Sequence, residues 1–316
     1  MIALTYNQTL NLSEIQKPIP AANETLIRVS KAGICNTDIE ITKGYMAGFK
    51  GVPGHEFIGY ADTTGLRGKR VTAEINCGCG NCQMCRSNLQ RHCPHRTVIG
   101  IDHRDGAFAE YISVPSSNIV MIPDEIPDNT AIFIEPLAAA LEITEQILIN
   151  NNHSVLLIGD GKLAQLIAIV LKYTGCNLLV MGKYEDKLAH LKNFGIDTQL
   201  KDSFKPELYD IVIEASGSPQ AFISGLSYVK PRGTMVLKST YAGAFPFNPA
   251  LAVVNEISII GSRCGTFSRA IDFLLKYKPD LSYLITKSFP IHQGIEAFAE
   301  AQKKGVMKVI LDFDND

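Results

Sequence analysis

The sequence is poor in several features that would tie it to a membrane or to a polyanion. It has no long apolar run: stretches such as residues 166–171 fall far short of the roughly 18 residues a bilayer-spanning helix requires. It has no excess of either charge. Its 30 Lys and Arg stand against 32 Asp and Glu for a formal charge of −2, and no basic block exceeds a few residues, so neither nucleic acid nor an anionic membrane is an expected partner. It shows no signal-peptide pattern, which makes the cytoplasm the expected location. Internal repeats and low-complexity segments are also missing. What remains is 316 residues, 46% hydrophobic and 20% charged, enough to bury one or two full cores; two domains are expected.

Cysteine is present and unevenly placed. Five of the eight cysteines, Cys77, Cys79, Cys82, Cys85 and Cys93, fall within seventeen residues. The spacing C-x2-C-x2-C-x7-C over Cys79, Cys82, Cys85 and Cys93 suits four thiolates closing a tetrahedral shell around one structural Zn²⁺. A closed shell has no place for substrate. Cys77 is the spare, because its sulfur and that of Cys79 are too near in sequence for both to join comfortably. The competing reading, disulfides in a secreted domain, is disfavoured by the missing signal peptide and the scatter of the other cysteines.

The texture of the chain changes near residue 130. Before it, short β-type runs such as 25–30 and 110–114 are broken by Gly, Pro and Asn, which predicts a β-rich or barrel-like lobe. From Ser154 onward, buried-strand runs at 154–158, 177–181, 210–214, 233–238 and 256–261 alternate with helical patterns at 164–171, 185–192 and from Pro219. That order predicts a doubly wound parallel sheet. After a helix near 268–277, the tail 306–313 reads as a strand expected to return to the first lobe. The expected division is therefore 1–130, completed by 267–316, and 131–266.

Gly159, Gly161 and Ala164 fit the G-x-G-x-x-G/A fingerprint between a predicted strand and a predicted helix. In that frame Gly159, Gly161, Lys162 and Leu163 are expected to bind a dinucleotide, its pyrophosphate resting on the N–H groups of the helix start. At the end of the second strand, where an NAD site normally has a carboxylate for the ribose 2′-hydroxyl, stand Gly182 and Lys183. A lysine there would attract a 2′-phosphate, so the sequence leans to NADP(H); the alternative is a solvated Lys183, with Glu185 or Asp186 reaching the ribose.

Cys35 and His55 lie in glycine-bounded settings of the first lobe, and Glu135 is a third candidate ligand. Cysteine, histidine and a carboxylate leave one position open, as in a catalytic zinc site. Taken singly, Cys35 also suits a buried small hydrophobe and His55 a satisfied core histidine.

The order of Gly33, Cys35, Thr37 and Asp38, then Gly54, His55 and Glu56, the cysteine lobe, residues 105–111, Glu135 with Pro136, and Gly159 with Gly161 resembles the zinc-dependent medium-chain dehydrogenases from end to end. Glu135-Pro136 is similar to the sorbitol and threonine dehydrogenase branch. The resemblance implies an α/β protein: a GroES-like β-rich catalytic domain and a Rossmann cofactor domain, with the active site in the cleft between them, and a homodimer or homotetramer. It further implies that Cys35, His55 and Glu135 hold the catalytic zinc, with Glu56 a nearby carboxylate able to enter or leave its shell. Asp38 would orient His55, and Thr37 would bind the substrate oxygen and begin a proton relay. Ser216 and Lys238, in the strand-end segments 214–218 and 237–240, would lie near the nicotinamide; Lys238 is equally compatible with a snorkelling lysine at the sheet rim.

The chain departs from its relatives in places. Glu40 stands where many carry a relay histidine, and is compatible with a terminal base or with a solvated surface residue. Residues 86–88 lack the family glycine, which gives the left-handed turn to Asn88. The expected activity is a zinc-dependent oxidoreductase moving a hydride between a secondary alcohol or polyol, or its ketone, and a nicotinamide dinucleotide. A zinc-free quinone or enoyl reductase and a non-catalytic nucleotide-binding redox sensor are the alternatives.

Overall fold

The computed structural model describes residues 1–44, 48–241 and 244–314. The chain separates into two units, Met1–Glu135 with Phe267–Asp316, and Pro136–Thr266. Among the described residues no helix is long and apolar enough to cross a membrane.

The spine of the first unit is the 11-residue strand Glu24–Ile34 in a seven-stranded sheet. One edge pairs antiparallel with Glu56–Ala61; the other is shared, Tyr111–Pro115 taking its first half and Lys308–Asp312 its second. The tail strand thus returns to the first lobe, as the sequence predicts. Its register sets Gly33 opposite both Glu56 and Ile310. Because side chains alternate across a strand, this pairing brings the end of one strand, the start of the next and residue 308 to the same end of the sheet.

The second unit is a six-stranded sheet, parallel throughout. Its order is Asp197–Leu200, Asn177–Gly182, Ser154–Ile158, Tyr209–Glu214, Val229–Leu237, Ser258–Gly261. Strands covered on both faces read as apolar runs: Val155, Leu156, Leu157, Val180, Val212 and Ile213 have no exposed surface. Helix Lys162–Lys172 buries every residue from Ala164 to Leu171, including Gln165, whose amide donates to the Lys187 carbonyl at 3.1 Å. The chain order reverses between Ser154–Ile158 and Tyr209–Glu214, and there the carboxyl ends of the strands open the crevice in which such sheets bind nucleotides.

Several elements were not anticipated. Strand Asp197–Leu200 is polar and lies at the sheet edge, so it carries neither an apolar run nor clean alternation. Helix Asn36–Thr42 is too short to show a period. Strand Ile285–Pro290, which pairs parallel with Lys308–Asp312, buries only Phe289.

Candidate functional site: two metal clusters and a nucleotide pocket

The sulfurs of Cys79, Cys82, Cys85 and Cys93 all lie within 4.8 Å of one another. Four thiolates about 2.3 Å from a tetrahedral zinc stand roughly 3.8 Å apart; the Cys82 and Cys93 sulfurs are separated by 3.7 Å. The donor set fits the ion. Backbone N–H groups already point at these sulfurs: Cys79 and His95 donate to Cys93, and Cys85 to Cys82. Backbone N–H donors at Asn81 and Cys82 bring the Cys79 thiol down to about 6, towards the thiolate a metal requires, while burial pushes the neighbouring Cys85 thiol up to about 11. Asn88 takes the left-handed conformation (φ 58°) expected of it. Cys77 is outside the cluster, buried with its sulfur accepting from Asn118 Nδ2 at 3.6 Å. Cys93→Ser is expected to remove one zinc per chain and lower Tm by about 5 °C or more, checked by metal analysis and a melting curve; an unchanged Tm would count against a structural metal.

A second group forms where Cys35, His55 and Glu56 bring one ligand atom each within 4.8 Å of the others. Cys35 precedes helix Asn36–Thr42, and Asp38 in its first turn accepts the Cys35 N–H at 2.8 Å. The other Asp38 oxygen lies 3.1 Å from His55 Nδ1. A carboxylate can only accept, so this contact places an imidazole proton on Nδ1 and makes Nε2, turned to Cys35, the nitrogen that would ligate a metal once deprotonated. Burial opposes charge on His55, yet Asp38 and Cys35 overcome it and hold the imidazole well above its usual range. Asp38, His55 and Glu56 are each at most 3% exposed. Burying the Asp38 and Glu56 carboxylates beside a half-buried thiol and one imidazole is costly without positive charge, and a divalent metal would meet part of that demand.

One cation is already there. Lys308, 2% exposed, places its ammonium on the Glu56 carboxylate. Burial disfavours this charge; Glu56 first, then Cys35 and Glu135, more than compensate and keep Lys308 above its ordinary range. Gly33 makes the room, since a Cβ there would come 2.8 Å from Glu56 Oε2. Lys308 was missed in the sequence; its signal is a lysine heading the otherwise apolar strand Lys308–Asp312. Glu135 acts on Lys308 through space but is not in the tight group; it begins helix Ile134–Gln146 and is half-buried. Thr37 lies with its hydroxyl 3.9 Å from Cys35 Sγ. Glu40 pairs with Lys43 at 3.0 Å on the surface.

In the second unit, Gly159, Gly161, Gly182, Lys183 and Ser216 line one pocket. Gly159 has φ 136°, and a Cβ on it would sit 2.8 Å from the Ala215 carbonyl, so the turn admits only glycine. Gly161 caps helix Lys162–Lys172 without a side-chain bond, so no side chain competes with an anion at the helix start; Lys162 and Leu163 follow in its first turn and are not among the residues lining the pocket. Glu214, fully buried, accepts from Ser216 N and Oγ and from the Tyr241 hydroxyl, and so fixes the pocket wall at Ser216. Burial and that carboxylate push the Tyr241 phenol up. Lys238 is buried away from this lining and donates to Ser262 Oγ and the Arg263 carbonyl.

The comparisons agree with these two halves. A family model described as alcohol dehydrogenase GroES-like domain matches residues 21–124, and one described as zinc-binding dehydrogenase matches residues 163–276. The chain belongs to the zinc-type medium-chain alcohol dehydrogenase family. It is 30% identical to the starvation-sensing protein RspB of Escherichia coli, with 96% of each chain covered. It is 27% identical to an L-threonine 3-dehydrogenase of Saccharopolyspora erythraea, again with 96% of each covered. The structure of RspB from E. coli complexed with NADH superposes with a TM-score of 0.90 at 28% identity, over 99% of this chain and 98% of that one.

Proposed function

We propose that the chain is a zinc-dependent oxidoreductase that transfers a hydride between a secondary alcohol or polyol, or the matching ketone, and a nicotinamide dinucleotide. The observation that carries this reading is the group of half-buried Cys35 with buried His55 and Glu56, Asp38 orienting the imidazole. Zinc bound there would supply a Lewis acid for the substrate oxygen, and the bound dinucleotide the hydride acceptor or donor. Cys35 and His55 Nε2 are the first two ligands. Glu135 would be the third, as the family resemblance implies, with the Glu56 carboxylate, paired with Lys308, beside the shell and able to enter it. Asp38 keeps the His55 proton on Nδ1 throughout. The Thr37 hydroxyl, next to Cys35, accepts the hydrogen of the substrate hydroxyl and hands its own proton onward.

The support for NADP(H) as the dinucleotide is Lys183, exposed at the rim of the pocket with Lys201; a buried carboxylate in that pocket, Asp160, acts in the opposite sense. A cytoplasmic setting, which keeps thiols reduced, suits eight cysteines that form no disulfide.

The test combines metal analysis with a substrate panel. About two zinc ions per chain, together with nicotinamide reduction on one of a set of polyols, amino alcohols and simple secondary alcohols, is the expected result. One zinc without turnover would favour a sensor, and none would favour a zinc-free reductase.

A further inference from the structure

The end of strand Asn177–Gly182 carries no acidic side chain, yet a carboxylate stands there, delivered from the glycine turn. Asp160 is 9% exposed, and its Oδ2 accepts the backbone N–H of Lys183 at 2.5 Å and of Tyr184 at 2.8 Å. Gly182 permits the approach: a Cβ on it would lie 2.8 Å from both Cβ and Oδ2 of Asp160. All four residues line the nucleotide pocket. We infer that Asp160 sets the choice of cofactor and selects NAD(H) over NADP(H), against the expectation raised by Lys183. The inference rests on the dehydrogenase reading above.

The two cofactors differ only at the adenosine ribose. A free 2′-hydroxyl needs an acceptor, and an ionised carboxylate that has taken two N–H bonds still has lone pairs to offer. A 2′-phosphate needs the reverse, N–H donors and positive charge. Here the two N–H groups of the strand-end turn are already engaged, and the group engaging them is an anion. Asp160 cannot readily step aside, since its departure would leave those N–H groups without an acceptor beside a buried strand end. Lys183 and Lys201 are exposed, and water and salt weaken charges so placed. The fixed, buried charge prevails over the mobile, solvated ones. The glycine turn and the helix start receive the pyrophosphate common to both cofactors and do not discriminate.

Dissociation constants of NADH and NADPH, measured by titration calorimetry on the full-length protein, test the inference. The wild type is expected to bind NADH about tenfold tighter or more. Asp160→Asn keeps an acceptor for the turn but removes the charge, and is expected to shrink that ratio by about tenfold, chiefly by tightening NADPH. Lys183→Ala should move the ratio less. On the wild type alone, 5′-AMP should displace NADH more effectively than 2′,5′-ADP, a comparison that does not depend on any variant folding. Tighter NADPH binding by the wild type, stronger competition by 2′,5′-ADP, or an unchanged ratio in Asp160→Asn overturns the inference while leaving the dehydrogenase reading intact. Failure of the wild type to bind either dinucleotide overturns both.

Discussion

Cys35→Ser is expected to lower kcat by about 10⁴-fold or more and to leave the dissociation constant for the dinucleotide within about twofold of wild type. The first effect is expected because a serine hydroxyl is a far poorer zinc ligand than a thiolate, and without the metal the Thr37 hydroxyl faces an alcohol too weakly acidic to release its proton at neutral pH. The second is expected because Gly159, Gly161 and Ser216 all belong to the Pro136–Thr266 unit, whereas Cys35 belongs to the other. His55→Ala should behave in the same way. Steady-state kinetics, metal content and calorimetric titration of the same preparations check the three quantities together. Retained turnover in either variant would remove the metal centre from the mechanism.

Lys308→Met should be the most destabilising single change at the site. The Lys308 and Glu56 side chains are 2% and 1% exposed, and the methionine preserves most of the volume while leaving the Glu56 carboxylate buried without its cation. Removing one partner of a buried ion pair costs about 3–5 kcal/mol, a fall in Tm of about 10 °C for a chain of this size. Adding Glu56→Gln removes the stranded charge, and the double variant should recover most of the loss. Thermal melts of the two single variants and the double variant give the coupling. If the double variant melts no higher than Lys308→Met, the cost is one of packing and the charge argument fails.

Much of this was legible in the sequence because the signals were local. The cysteine lobe is a spacing pattern, the parallel sheet a succession of apolar runs, and the dinucleotide turn a pair of glycines between a strand and a helix. The Cys35 and His55 motifs come together with Glu56, which directly follows His55 in the sequence. What escaped depends on register. Lys308 reaches Glu56 only because Lys308–Asp312 pairs with Glu24–Ile34 at one offset, and a slip of one residue would turn it to the opposite face. Asp160 sits inside the fingerprint, but its carboxylate acquires meaning only once the next strand end lies against it. Glu214 likewise was visible as a strand-end residue, while its partner Tyr241 lies 27 positions away. Glu135 shows the limit from the other side: its sequence context points to the metal, while the tight group of Cys35, His55 and Glu56 does not include it, so spacing alone does not place it against the other two ligands.

The pairing of Lys308 with Glu56 spans 252 residues of chain. During synthesis, Glu56 and Asp38 leave the ribosome long before the strand that supplies their buried cation, whereas the Pro136–Thr266 unit is continuous and can fold as soon as it emerges. Completion of the first unit therefore waits until the whole of the second has emerged. A ribosome that stalls short of residue 308 would release a product able to hold a nucleotide but with an acidic pocket still unneutralised, a partly folded species for the cell's quality control to recognise.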